Sequence, residues 1–242
     1  MITMNLLNAF SAPVYYKEET SSTMNDAREL AKSNCPDGTL VFTGMQNSGR
    51  GRLAGRVWHG EKNKNLLCTL ILRRAIPQAF TLKIGLAVAL ALDKFLPADK
   101  KTTIKWPNDI LIDGKKTCGI LCEATDTVLF AGIGCNLLQT EFPQHLRSAT
   151  SLASVIGTEA CPAPQDFVPI FLSSAKACLT DNAAMQKIEE KLWKKNCPVY
   201  FIEGTNPANK IQGILKGFSP EGALQIQIGT KIKNFWSGEL IL

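Results

Sequence analysis

Three stretches of the chain combine residue types that could do chemistry. The first, "QNSGRGRLAGRVW" (Gln46 to Trp58), has Gly49, Gly51 and Gly55 alternating with Arg50, Arg52 and Arg56, and no acid. Glycines admit positive φ and close approach of backbone N–H groups to an anion. Arginines add bidentate, charge-assisted hydrogen bonds to carboxylate or phosphate. Such a loop suits a substrate with several negative charges. A solvated basic loop with no ligand fits those residues about as well. The second stretch, "IKWPNDILIDGKKTCGIL" (Ile104 to Leu121), carries Asp109 at the entry to a strand pair and Lys116 at its return. A lysine at the edge of a buried strand is placed to reach into a cleft, although a lysine in a "DGKK" turn is more often simply solvated. The third, "GIGCN" (Gly132 to Asn136), ends an apolar run. Its small residues permit a flat ligand to approach the backbone, and Asn136 offers both a donor and an acceptor to a purine edge. A tight strand exit explains the same residues.

Several familiar sites are excluded. No G-x-x-x-x-G-K-[ST] loop occurs. The dinucleotide fingerprint fails at Ala54 in "GRGRLAG" and at Leu137 in "GIGCNL". With two histidines and no paired C-x-x-C, the protein is not expected to supply a metal site.

These stretches need elements to position them. Thr23 and Asp26 have capping-box-like spacing, and Ala27, Leu30 and Ala31 continue a helical stripe. "CPDG" ends that helix, and Thr39 to Thr43 reads as a strand running into the basic loop. "NLLCTLIL" (Asn65 to Leu72) reads as a strand covered on both faces. Thr81 to Leu96 is ambiguous by periodicity, but its length and alanines favour a buried helix. Short strands follow in "TIKW", "DILI" and "GILCEA", with another at Thr127 to Gly134. Helical patterns fill Gln165 to Lys195. Beyond a break at "NCPVYF", five short strands separated by turns such as "SPEG" suggest a small barrel. The expected division is therefore 1–195 and 196–242.

The net charge of +6 over 242 residues suits anionic substrates without requiring nucleic acid. Eight cysteines, mostly inside apolar runs, read as buried free thiols in a reducing, cytoplasmic setting. No secretory signal or membrane-length apolar run is present, and the expected protein is a monomer or homodimer without a membrane segment.

Taken in order, "SSTMNDA", "QNSGRGR", "KWPNDILIDGKKTCGIL" and "GIGCN", followed by a β-rich tail with "GFSPEGALQIQ", resemble the biotin–[acetyl-CoA-carboxylase] ligases. The resemblance implies an α+β fold: a mixed-sheet catalytic domain of the class II aminoacyl-tRNA synthetase and biotin ligase type, then a small SH3-like β-barrel. It implies two-step chemistry. Biotin attacks the α-phosphate of ATP, with Mg²⁺, to give biotinyl-5'-AMP and pyrophosphate. A lysine of a biotin carboxyl carrier domain then takes the biotinyl group and releases AMP.

By resemblance, Ser22, Thr23, Met24 and Gln46 line the biotin end, with Met24 standing where many relatives have Asn. Gly49, Arg50, Gly51 and Arg52 form the loop over biotin and the adenylate, with Arg50 and Arg52 catalytic alongside Lys116. Gly119 underlies the biotin ring, while Arg56, Trp58 and Asn136 lie on the ATP side. Asp109 is expected to order the loop. The spacing before Arg56 is one residue longer than usual, owing to "LAG". Only about 20 residues precede the first motif, which points to a ligase without its own DNA-binding module. Two alternatives are a lipoate or octanoyl transferase of the same fold and, in another class, a nucleic-acid-binding module built on the arginines and Trp58.

Overall fold

The structure is a computed structural model describing residues 1–53, 55–206, 208–219 and 221–241. Eight strands form one mixed sheet: β1 (Ile2–Met4), β2 (Val14–Thr20), β3 (Thr39–Gln46), β4 (Asn65–Leu72), β5 (Thr102–Lys105), β6 (Asp109–Ile112), β7 (Lys115–Ala124) and β8 (Leu129–Asn136). Their order is β1-β2-β3-β4-β8-β7-β6-β5, and only β2 and β3 run parallel. All eight residues of β4 are buried, as its unbroken apolar run requires.

One face carries the main core. The apolar helix α2 (Phe80–Asp93) lies on β5 to β7 and is covered by α4 (Pro164–Thr180) and α5 (Ala184–Glu190). Its all-round burial explains why periodicity alone did not identify it. The opposite face holds α1 (Thr23–Lys32), packed through Met24 and Ala27 on Val41, Ile71 and Phe130. The rest of that face is left for a cavity. A short α3 (Ala153–Ile156) follows a single 3₁₀ turn at Gln144–Leu146.

One local expectation changes. The N-cap of α1 is Ser22, whose hydroxyl accepts from the Met24 N–H, so Thr23 is the first helical residue. Its side chain turns instead to Gln46. Strand β2 is paired on both edges, with β1 and β3.

The second sheet has five antiparallel strands: β9 (Pro198–Glu203), β10 (Lys210–Phe218), β11 (Leu224–Ile228), β12 (Lys231–Phe235) and β13 (Gly238–Leu240). Their order is β12-β11-β10-β9-β13, consistent with the expected SH3-like unit. Its buried side chains join the main core, because Trp106 meets Phe201 at 5.9 Å and Phe201 meets Phe235 at 4.6 Å.

All eight cysteines are free thiols, and Cys197 alone is exposed. Burial pushes Cys122 up to about 12 and Cys161 and Cys178 up to about 11. Thiolate is the reactive form. A disulfide reagent at pH 8 should therefore titrate Cys197 quickly and the other seven only on unfolding. Fast reaction of a second thiol in the native protein contradicts this.

Candidate active site

A cavity of about 660 Å³ lies on the α1 side of the large sheet. Its floor is set by strand register. On β8, Gly132, Gly134 and Asn136 share one face, since alternate residues do. They pair across to Thr69, Leu67 and Asn65 of β4, and Gly134 pairs with Gly119 of β7. Two residues advance about 7 Å along a strand, so this row spans about 14 Å. It has three stations.

At the first, a Cβ on Gly132 would lie 3.0 Å from the Met24 sulfur. Thr23 stands beside it. The Thr23 N–H and hydroxyl both donate to Gln46 Oε1, at 2.8 and 3.1 Å, and Thr69 donates to the Thr23 hydroxyl at 2.9 Å. This fixes the Gln46 amide with its oxygen occupied and its NH₂ left to donate.

At the second station, Trp58 lies flat on glycine. A Cβ on Gly134 would meet its indole at 2.6 Å, and one on Gly119 would meet it at 3.1 Å. The chain's own indole thus lies against "GIGCN". Lys116 arrives at the same place, its Nζ 3.3 Å from the position of a Gly119 Cβ. It does so because of a bulge. Ile110 pairs with Cys118 but Leu111 pairs with Lys116, which leaves Thr117 unpaired between them. The extra residue turns Lys116 onto the face of Gly119. There its ammonium meets Asp109 Oδ1 at 2.7 Å. Asp109 therefore holds Lys116, a consequence of this register. Asn108 secures the turn, since its side chain donates to the Ile120 carbonyl at 2.9 Å and its carbonyl accepts from the Ile120 N–H.

At the third station, Asn136 donates to the Thr150 carbonyl at 2.9 Å, while its buried Oδ1 has no partner. The buried Trp58 Nε1–H is also without one. Unpaired buried polar atoms are costly unless a ligand completes them.

The arginine loop closes on itself through Gly51 N–H to the Arg56 carbonyl (2.8 Å) and Trp58 N–H to the Gly49 carbonyl (3.0 Å). Gly49 and Gly51 serve close approach: a Cβ would lie 3.1 Å from Trp58 Cβ and 3.0 Å from Arg56 Cβ, respectively. Gly55 alone among the three has positive φ, +80°. Arg50 donates to Asn25 at 2.9 Å. The other two arginines reach β13. Arg52 donates to the Gly238 carbonyl at 2.9 Å, and Arg56 forms a bidentate pair with Glu239 at 2.9 and 2.8 Å. Burial opposes ionisation of Glu239, but the Arg56 hydrogen bonds and charge outweigh it and lower its pKa. Of the inserted "LAG", Ala54 lies outside the described residues.

Residues 16–139 match the model of the biotin/lipoate A/B protein ligase family. The bifunctional ligase/repressor BirA of Bacillus spizizenii is 33% identical over 94% of this chain and 73% of its own length. This chain belongs to the biotin/lipoate A/B protein ligase family. A biotin–[acetyl-CoA-carboxylase] ligase of Mycobacterium tuberculosis is 33% identical over 55% of this chain and 52% of its own. The solved Aquifex aeolicus biotin protein ligase, in complex with biotin and ATP, superposes with a TM-score of 0.80 at 28% identity, covering 94% and 97% of the two chains.

For a member of this family, the expected residues gather well. Ser22, Thr23, Met24, Gln46, Arg50, Gly51, Arg52, Arg56, Trp58, Asp109, Lys116, Gly119 and Asn136 all line the one cavity, and Gly49 sits just behind its wall. Sequence reasoning missed Lys105, His59, His145 and Glu239, which line it too. His59 and His145 meet edge to face at 5.3 Å on the cavity wall. Lys105 was legible only as the first letter of "KWPND". Glu239 gave no local signal, because its partner is 183 residues away.

Proposed function

We propose that this chain is an ATP-dependent biotin ligase that forms biotinyl-5'-AMP and transfers biotin to a lysine of a biotin carboxyl carrier domain. The observation that carries this is the three-station floor, which matches a long ligand with a carboxylate in its middle. The Thr23–Gln46 amide and hydroxyl end suits the ureido ring, whose N–H and C=O groups need fixed partners. The Asn136 Oδ1 and Trp58 Nε1–H suit a base that offers an amino donor and a ring-nitrogen acceptor. Lys116 stands where the carboxylate meets the α-phosphate.

In the first step, two anions must approach. The ammonium of Lys116, fixed by Asp109, and the guanidinium groups of Arg50 and Arg52 offset their repulsion in a half-closed cavity, where preorganised charge counts for more than in water. The carboxylate oxygen bonds to the α-phosphorus and pyrophosphate leaves. In the second, an amine displaces AMP from the acyl carbon. Mg²⁺ arrives with ATP as substrate; among the described residues no cluster of three or more His, Cys, Asp or Glu is placed to hold an ion. Unpaired thiols support work in a reducing interior such as the cytoplasm. The division into a catalytic domain, 1–195, and a barrel, 196–242, is supported by the second sheet beginning at Pro198.

Incubation of a carrier domain with the protein, biotin, ATP and Mg²⁺ should add one biotinyl group, read by mass spectrometry. Modification with lipoate and not with biotin defeats the proposal. The floor gives a second expectation. Gly134→Ala puts a methyl where the Trp58 indole lies, an overpacking cost of about 1–3 kcal/mol. ATP affinity should fall by about tenfold or more in calorimetric titration, with biotin affinity less affected. Unchanged ATP affinity removes Trp58 from the nucleotide wall.

A further inference from the structure

Lys105 takes no part in these steps, yet it lines the cavity and is only 4% exposed. It ends β5 between buried Ile104 and Trp106. The charged groups facing it come from four elements. Asp109 of β6 lies 3.8 Å away, but the same carboxylate is closer to Lys116 of β7, at 2.7 Å. Glu239 of β13 is engaged by both arms of Arg56 from the arginine loop. Two carboxylates thus serve Lys105, Lys116 and Arg56, with Arg50 and Arg52 at the rim. Arginine does not release a proton, and Lys116 holds the nearer carboxylate. Lys105 is therefore the cation that most readily becomes a neutral amine.

We propose that Lys105 is the general base of the transfer step, accepting the proton of the incoming carrier lysine. The assignment rests on the ligase function proposed above. The carrier's ammonium gives one proton to the Lys105 amine. The freed lone pair forms the C–N bond to the acyl carbon as the C–O bond to phosphate breaks, and AMP leaves with that electron pair on its phosphate oxygen. The second proton of the new amide nitrogen passes to water, and Lys105 later returns its own to solvent. Burial supports this by pulling the Lys105 pKa below the ordinary lysine value of 10.5, assisted by Lys116 and Arg56 and opposed by Asp109 and Glu239. A base poised nearer neutrality is the more effective one.

The test compares two acceptors for biotinyl-5'-AMP preformed on the whole protein: the lysine of a carrier domain, and hydroxylamine, which is already neutral at pH 7. In Lys105→Met, biotin-dependent ATP–pyrophosphate exchange and transfer to hydroxylamine should stay near those of the unaltered protein. Transfer to the carrier lysine should fall by about 100-fold or more at pH 7 and recover as pH rises. Lys105→Arg, which keeps the charge but cannot take a proton, should show the same selective loss. Equal loss with both acceptors, no loss with either, or full transfer by Lys105→Arg overturns the proposal. Should neither variant fold, the unaltered protein decides: lysine transfer should reach a plateau below the ordinary lysine range, while hydroxylamine transfer stays flat. A rise that continues up to about pH 10, the pKa of a free lysine, overturns it. Absence of biotin-dependent exchange in the unaltered protein instead rejects the ligase function, and the base with it.

Discussion

Lys116→Ala is expected to lower biotin-dependent ATP–pyrophosphate exchange by roughly 100- to 1000-fold, the usual loss when one preorganised charge-stabilising donor is removed. The fold should survive. Lys116 is 32% exposed at its side chain, and its structural work is done by its backbone. The Lys116 N–H donates to the Ser148 carbonyl at 2.6 Å, and its carbonyl accepts from the Thr150 N–H at 2.8 Å. Alanine keeps both bonds. Asp109 loses its 2.7 Å partner and keeps Lys105 at 3.8 Å, which limits the cost of a stranded carboxylate. The measurement pairs exchange kinetics with a thermal melt. A folded variant with near-normal exchange removes Lys116 from charge stabilisation, and a variant that does not melt cooperatively assigns it a structural role instead.

Phe201→Ala should cost about 3–5 kcal/mol of stability, the range for emptying a fully buried aromatic site. Phe201 is 0% exposed and stands between Phe235 of its own sheet and Trp106 of the active-site turn. The cavity left there would open the seam between the two sheets. Two consequences follow from that position. The unaltered protein should unfold in a single transition, because the barrel's core is continuous with that of the catalytic sheet. In the variant, β13 should also hold the arginine loop less firmly, since Gly238 and Glu239 are its anchors. ATP binding should weaken together with stability. A chemical melt with a loss under about 1 kcal/mol, the typical scale of a substitution outside the core, contradicts the seam.

The two expected effects differ in kind. The loss expected at Lys116 is that of a charge delivered to one point, whereas the loss expected at Phe201 is that of volume that keeps two sheets in contact. The Arg56–Glu239 pair links them, because it ties the loop over the cavity to the strand that Phe201 supports through the register of β9 and β13.

Much of this protein was legible in its residues. "NLLCTLIL" had to be a strand buried on both faces, and the residues flanking "DGKK" had to form a hairpin, because local propensity and turn chemistry agree there. The ordered motifs "QNSGRGR", "KWPND", Lys116 and "GIGCN" were enough to indicate the family. Residue spacing could not give what depends on distant partners. Period-two alternation sends Lys116 away from Gly119, and only the bulge at Thr117, set by pairing with β6, brings it onto the site. The same holds for Arg56, whose guanidinium meets Glu239 from the far end of the chain. It holds again for Lys105, whose burial and competition for one carboxylate exist only once β5, β6 and β7 lie side by side. Sequence determined which groups were available. Register and packing decided which faced the cavity and which charges had partners, because both depend on contacts between segments that the chain brings together only by folding.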